Sequence, residues 1–157
     1  MKIIFLDIDG VLSLNSDYGK ASDNKWGSYR FDQKAVAILN FILQETNAEI
    51  ILSSDWRTHY TLQEMREIFA HNFVLKGPIG FTIRSKNYNG DNLENGRAEE
   101  IRHWVELHAW KDDTKWVAID DLNMEDQLYP NFVWCPKSSE GIKQSGVKDK
   151  IIEKLKD

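Results

Sequence analysis

Two carboxylates stand one residue apart where a short apolar run ends: Ile3, Ile4, Phe5 and Leu6 lead into Asp7, Ile8, Asp9 and Gly10. In an extended chain, residues two apart project to the same side, so both acids leave the strand end together. Carboxylates held that close repel each other unless a cation or a shared proton relieves them. The plainer reading is a strand that ends in a solvated acidic turn. Gly10 lets the backbone turn and approach a bound group closely. Two more apolar runs end in polar groups. Ala48 to Leu52 runs into Ser53-Ser54-Asp55-Trp56-Arg57, and Trp116 to Ile119 runs into Asp120-Asp121. Four acids at one edge call for a divalent cation, and oxygen-only ligands suit Mg2+. A hydroxyl at Ser53 and a cation at Arg97 are suited to holding phosphate oxygens. Together these groups describe phosphoryl transfer, where positioning and charge neutralisation do most of the work.

The elements that must position them follow from periodicity. The unbroken apolar runs read as strands buried on both faces. Gln33 to Thr46 carries Val36, Leu39 and Leu43 on one stripe, with Ile38, Phe41 and Ile42 beside it, and reads as a heavily buried helix. Thr61 with Glu64 forms a capping box that opens a helix through about Ala70. Phe73 to Leu75 reads as a third strand, and Ile79 to Ile83 as a further extended piece. A helix from about Gly96 to Trp110 places Ile101, Trp104, Val105 and His108 on one face, with Arg97 in its first turn. A cation there opposes the helix macrodipole, which suggests placement for something negative. His108 reads as a packed core-edge residue. Phe132 to Trp134 is a last strand, and Val147 to Leu155 a closing helix with Ile151, Ile152 and Leu155 inward. Strands alternating with helices imply α/β architecture with a parallel sheet and right-handed crossovers. Ligands of such sheets bind beyond the carboxyl ends of the strands, where Asp7, Asp9, Ser53, Ser54, Asp120 and Asp121 all fall.

Composition sets the outer bounds. The 157 residues suggest one domain spanning 1–157, and a single cysteine, Cys135, excludes a disulfide framework or a thiolate metal cluster. A reducing, cytoplasmic setting fits. No apolar run reaches the length of a membrane span. The net charge of −5 argues mildly against a broad nucleic-acid-binding surface. Tyr18, Trp26 and Tyr29 lie among Lys20, Lys25 and Arg30 in a long polar stretch, Ser13 to Asp32. Such interleaving can stack nucleobases, but three nearby aspartates cancel the charge, and anchoring the loop is the favoured reading.

The three strand-end motifs, IIFLDIDGV, IILS and WVAIDD, resemble in order those of the haloacid dehalogenase (HAD) superfamily. ILSSDWR, GFT at Gly80 to Thr82, RAEEI at Arg97 and the late Gly141-Ile142 pair resemble, more narrowly, the small HAD domains of Swiss Army knife RNA repair proteins. The resemblance implies a three-layer Rossmann-like fold around a central parallel sheet. Members commonly insert a cap, but the loops Ser13–Asp32 and Arg84–Asn95 at the insertion points are long enough here only for a small flap. The same resemblance implies a phosphatase in which Asp7 is the nucleophile and forms an aspartyl-phosphate. Asp9 then protonates the leaving oxygen and activates water. It further implies Mg2+ held by Asp7, the Asp9 backbone carbonyl and Asp120, with Asp121 close by or through water, while Ser53 and Arg97 grip the phosphoryl group. Many members use Lys in the third motif; this chain offers Arg97, with Lys86 in the preceding loop as the alternative.

Other residues divide between chemistry and scaffold. Ser54 is either a second phosphate donor or a capping hydroxyl. Arg57 either contacts substrate or pairs with a scaffold acid. Asp55 reads as a cap or turn residue, Asp126 as a solvated helix-terminus charge, and Cys135 and the tryptophans as core. The lack of a full cap leaves a site open to large substrates, and the repair-protein resemblance points to a phosphorylated nucleotide or polynucleotide end. No membrane and no obligate protein partner are implied. The rivals are a non-catalytic HAD-fold binding module and a phosphotransferase to a small acceptor.

Overall fold

In the computed structural model of the chain, residues 1–14, 31–85, 92–108 and 113–157 are described. Among the described residues, five parallel strands form one sheet: β1 (Lys2–Leu6), β2 (Glu49–Leu52), β3 (Gly80–Phe81), β4 (Lys115–Asp120) and β5 (Phe132–Trp134), in the spatial order β3-β2-β1-β4-β5. The first strand is therefore central, and the chain moves outward from it first on one side and then on the other. The reversal leaves a topological switch point between β1 and β4, the place where open α/β sheets bind ligands.

Alternation along β1 builds two cores. Ile4 and Leu6 pack with Val36 and Leu39 of α1 (Gln33–Thr46), Met65, Ile68 and Phe69 of α2 (Leu62–His71), and Ile151 and Leu155 of α5 (Val147–Leu155). Ile3 and Phe5 face the opposite side, against Ala98, Ile101 and Trp104 of α3 (Leu93–His108) and Leu128 of α4 (Glu125–Leu128). Phe5 sits edge-on between Trp104 and Trp116, at 5.3 and 5.6 Å. The result is the three-layer, Rossmann-like α/β/α architecture expected of a HAD fold. Among the described residues, no helix is long and apolar enough to cross a membrane.

Helix ends follow local chemistry. Asp32 caps α1 by accepting from the Ala35 amide, and the Thr61–Glu64 capping box opens α2. Three expectations need correction. Phe73 to Leu75 is not a strand: Phe73 takes a left-handed backbone (φ 65°), and the amides of Phe73 and Val74 donate to the carbonyls of Ala70 and Phe69. That pattern is a Schellman cap, which uses those amides to end α2 and leaves none for a sheet. The α3 helix starts at Leu93, so Arg97 lies in its second turn, beyond the reach of the macrodipole argument. Phe41 is 43% exposed, with the Lys148 ammonium over its ring, and Ile38 is half-buried, although Val36, Leu39, Ile42 and Leu43 are inside.

Candidate active site

The sheet register delivers three polar residues to one level. Leu6 pairs with Leu52 on one side and Ile119 on the other, so the next residues, Ser53, Asp7 and Asp120, emerge side by side. Two further hydrogen bonds extend the ladder one step, from the Ser53 amide to the Leu6 carbonyl (3.2 Å) and from the Asp7 amide to the Ile119 carbonyl (3.1 Å). Apolar strands thus carry Asp7 and Asp120 into a buried position flanking the switch point.

Asp7, Asp120 and Asp121 each offer a carboxylate oxygen within 4.8 Å of the others. Burial, before any charge effect, pushes the Asp7 carboxyl well above the usual range; Asp120 adds to the rise and Arg97 opposes it. Burial likewise raises Asp120, to about 6, against the pull of Arg97. Carboxyls so disfavoured in their ionised form are what a hard cation would relieve. The backbone is shaped around them. Gly10 has φ 78°, and a Cβ there would come within 2.3 Å of an Asp121 carboxylate oxygen. Gly141 (φ 55°) seats against the Val11 carbonyl, which also accepts from the Ile142 amide. That late Gly-Ile pair therefore clamps the turn that follows the two aspartates.

The Arg97 guanidinium reaches into the cluster. Its Nη1 lies 2.8 Å from Asp120 and 3.5 Å from Asp7, and its Nη2 is 3.4 Å from the exposed Asp55. These acids hold its charge more firmly than usual despite the burial. Ser53 Oγ is buried and has no hydrogen-bond partner among the described residues. An unsatisfied hydroxyl at that position is costly without a ligand. Oxygen donors, a left-handed glycine beside them and an orphaned hydroxyl on the same strand-end level fit a divalent ion together with a bound oxyanion.

Not every expected residue joins the cluster. The carboxylate of Asp9 does not: its Oδ2 accepts from the indole Nε1 of Trp56 at 3.0 Å. The expectation of four acids gathered round one ion is thus corrected to three, because the turn after β2 supplies a competing donor. Burial raises the Asp9 carboxyl; the indole bond opposes this, and Asp121 and Asp55 add to it. Ser54 caps the 3-10 turn Asp55–Thr58, its side chain accepting from the Trp56 amide. Every nitrogen of the Arg57 guanidinium is engaged by the scaffold: Nε donates to the Thr82 carbonyl, Nη1 to those of Ser53 and Ser54, and Nη2 to Glu100. Lys86 lies outside the described residues, as do Tyr18, Trp26 and Tyr29.

Sequence reasoning passed over Trp56 and Glu100. An indole N–H three residues beyond Ser53 was the available signal for the first; a buried-face acid one turn after Arg97 was the signal for the second. His108 stacks on Trp104 at 4.3 Å, at the edge of the core. Cys135 is buried beside the acids, its thiol pushed up to about 12 by that burial first, which leaves it inert as a nucleophile.

Comparison with curated proteins returned no match, and comparison with solved structures returned none either. The sequence model described as the HAD domain in Swiss Army Knife RNA repair proteins matches residues 3–147, and the chain belongs to that family.

Proposed function

We propose that the protein is a Mg2+-dependent phosphomonoesterase that acts through an aspartyl-phosphate. The observation that carries this reading is the shared level of Ser53, Asp7 and Asp120 at the switch point, with Arg97 opposite. The side chains of Asp7, Asp120 and Asp121 would hold the ion, with the Asp9 carbonyl as a further oxygen donor. The ion, when bound, supplies positive charge to the phosphoryl oxygens and relieves the buried acids.

The remaining steps belong to the chain. An Asp7 carboxylate oxygen attacks phosphorus, and the bond from phosphorus to the leaving oxygen breaks as that oxygen takes a proton from Asp9. Asp9 is suited to hold that proton because burial raises its carboxyl. Water then attacks the phosphoryl group and gives a proton back to Asp9, and the bond between Asp7 and phosphorus breaks to release phosphate. The Ser53 hydroxyl and the Arg97 guanidinium hold the nonbridging oxygens throughout, and Arg57 fixes the backbone of Ser53 by binding its carbonyl.

The family's description with RNA repair proteins supports a phosphorylated nucleotide or polynucleotide end as substrate. Hydrolysis of an aryl phosphate and of 3′- and 5′-phosphorylated oligonucleotides, with Mg2+ and with EDTA, tests the reading. Turnover that needs Mg2+ and vanishes in Asp7→Asn supports it. Absence of turnover on every phosphate ester would leave a binding module, and phosphate passed to an added acceptor instead of water would make the protein a phosphotransferase.

A further inference from the structure

The geometry points to Trp56 as a positioning residue that holds the Asp9 carboxylate out of the metal cluster. This rests on the proposed metal-dependent phosphatase reading. Asp9 is two residues from Asp7, and its neighbour Gly10 packs directly against the Asp121 carboxylate. A carboxylate on that short arm has every electrostatic reason to join a divalent ion. It nevertheless stands apart from the three acids whose oxygens lie within 4.8 Å of one another, and its Oδ2 accepts from the Trp56 indole at 3.0 Å.

The indole is well placed to win this competition because its ring is fixed from several sides. Trp56 packs on Phe31 at 5.9 Å and on Tyr60 at 6.1 Å, and Phe31 in turn sits edge-on to Phe69 at 5.4 Å. Phe31 and Phe69 are fully buried, so the donor is anchored to the main core. Its backbone is fixed as well, by the Ser54 side chain at the start of the 3-10 turn. An N–H donor aimed at one oxygen also favours a fixed rotamer for the acid, which a proton carrier requires. Three carboxylates already exceed the charge of one divalent ion. A fourth would tighten binding while removing the group that must exchange protons with substrate and water.

The test uses the full chain as wild type, Trp56→Phe, Asp9→Asn and the double variant. Mn2+ affinity is measured by electron paramagnetic resonance, and aryl phosphate hydrolysis in parallel. Trp56→Phe should bind Mn2+ about tenfold more tightly, since ligand charge count sets affinity at oxygen sites, while its kcat falls. The double variant should lose the tightening. Asp9→Asn alone should bind Mn2+ within about threefold of wild type, the residue of a screened through-space charge. Trp56→Leu, which likewise carries no donor, replaces the Phe variant if that one misfolds. Unchanged or weaker binding in the Trp56 variant, tightening that survives in the double variant, or a large loss of affinity in Asp9→Asn would overturn the inference. An active, metal-binding wild type with any of these results leaves the phosphatase reading standing. A wild type that neither binds Mn2+ nor hydrolyses phosphate removes both.

Discussion

Arg97 Nη1 donates to Asp120 Oδ2 at 2.8 Å, joining the second turn of α3 to the end of β4. The same nitrogen stands 3.5 Å from Asp7, so one cation faces two buried acids. Arg97 therefore stabilises the fold, besides the phosphoryl contact proposed for it. Removing one partner of a buried charge pair typically costs about 3–5 kcal/mol, because the other charge is left uncompensated. Arg97→Gln is expected to lower the unfolding free energy by about 3 kcal/mol in EDTA. Mg2+ should recover more stability in this variant than in wild type. Urea unfolding with EDTA and with Mg2+ measures both.

The acid cluster ties stability to pH with a definite sign. Asp7 and Asp120 are raised in the folded state, Asp120 to about 6, by burial first. An acid raised on folding binds more protons folded than unfolded. Its penalty is absent below the unfolded value of about 4 and complete above the folded one. The metal-free protein should thus lose stability from Asp120 as pH rises from about 4 through about 6, and Asp7 adds to the loss in the same direction. Metal binding runs the other way, because the ligands must be ionised. The Mg2+-induced rise in Tm should be small near pH 5 and full near pH 7.5, as read by differential scanning calorimetry.

Gly10 is expected to tolerate no side chain. Its φ of 78° disfavours any L residue, and an added Cβ would meet the Asp121 carboxylate at 2.3 Å. Gly10→Ala should cost about 1–2 kcal/mol of stability from backbone strain. It should also weaken Mn2+ binding by displacing Asp121, which calorimetric titration would detect.

Arg57→Lys tests the scaffold that orients Ser53. A guanidinium spans the carbonyls of Ser53, Ser54 and Thr82 and still pairs with the buried Glu100. An ammonium is a point charge with no planar fork and cannot match four acceptors on separate segments. The variant should lose about 2 kcal/mol of stability and show a raised KM for phosphate esters. Urea unfolding and steady-state kinetics separate the two effects.

Phe73 offers an improvement away from the site. It occupies the left-handed position after α2 and is 74% exposed, so its side chain contributes little in return. Glycine relieves the left-handed strain at such a position, and Phe73→Gly should raise stability by about 0.5–1 kcal/mol. The urea midpoint should rise with the slope unchanged.

Most of the fold was written in local pattern. Short apolar runs without polar interruption read as strands covered on both faces, and the Thr61–Glu64 box and the 33–46 stripe defined helices within a residue or two. Where local pattern failed, backbone hydrogen bonding was the reason. Phe73 to Leu75 has strand-like residues, but its amides serve the end of α2. The start of α3 at Leu93 is hidden in the sequence because Leu93 and Glu94 follow a polar loop that masks the helical period.

By itself, the sequence determined which chemistry was available: acids at 7, 9, 120 and 121, a hydroxyl at 53 and a cation at 97, all at or near strand ends. Each apolar run ends at polar groups, so the gathering of Ser53, Asp7 and Asp120 at one sheet edge could be foreseen. The register Leu52-Leu6-Ile119 belongs to the tertiary structure, because strands buried on both faces carry no alternation to set it. Only the tertiary structure decided which partner each group takes. Asp9 goes to the indole of Trp56 instead of the cluster, and Arg57 goes to Glu100 and three carbonyls. These partners lie 47 and 43 residues apart in the chain. A side chain chooses among donors and acceptors by distance in space, and periodicity within an element carries no information about what a separate turn brings alongside.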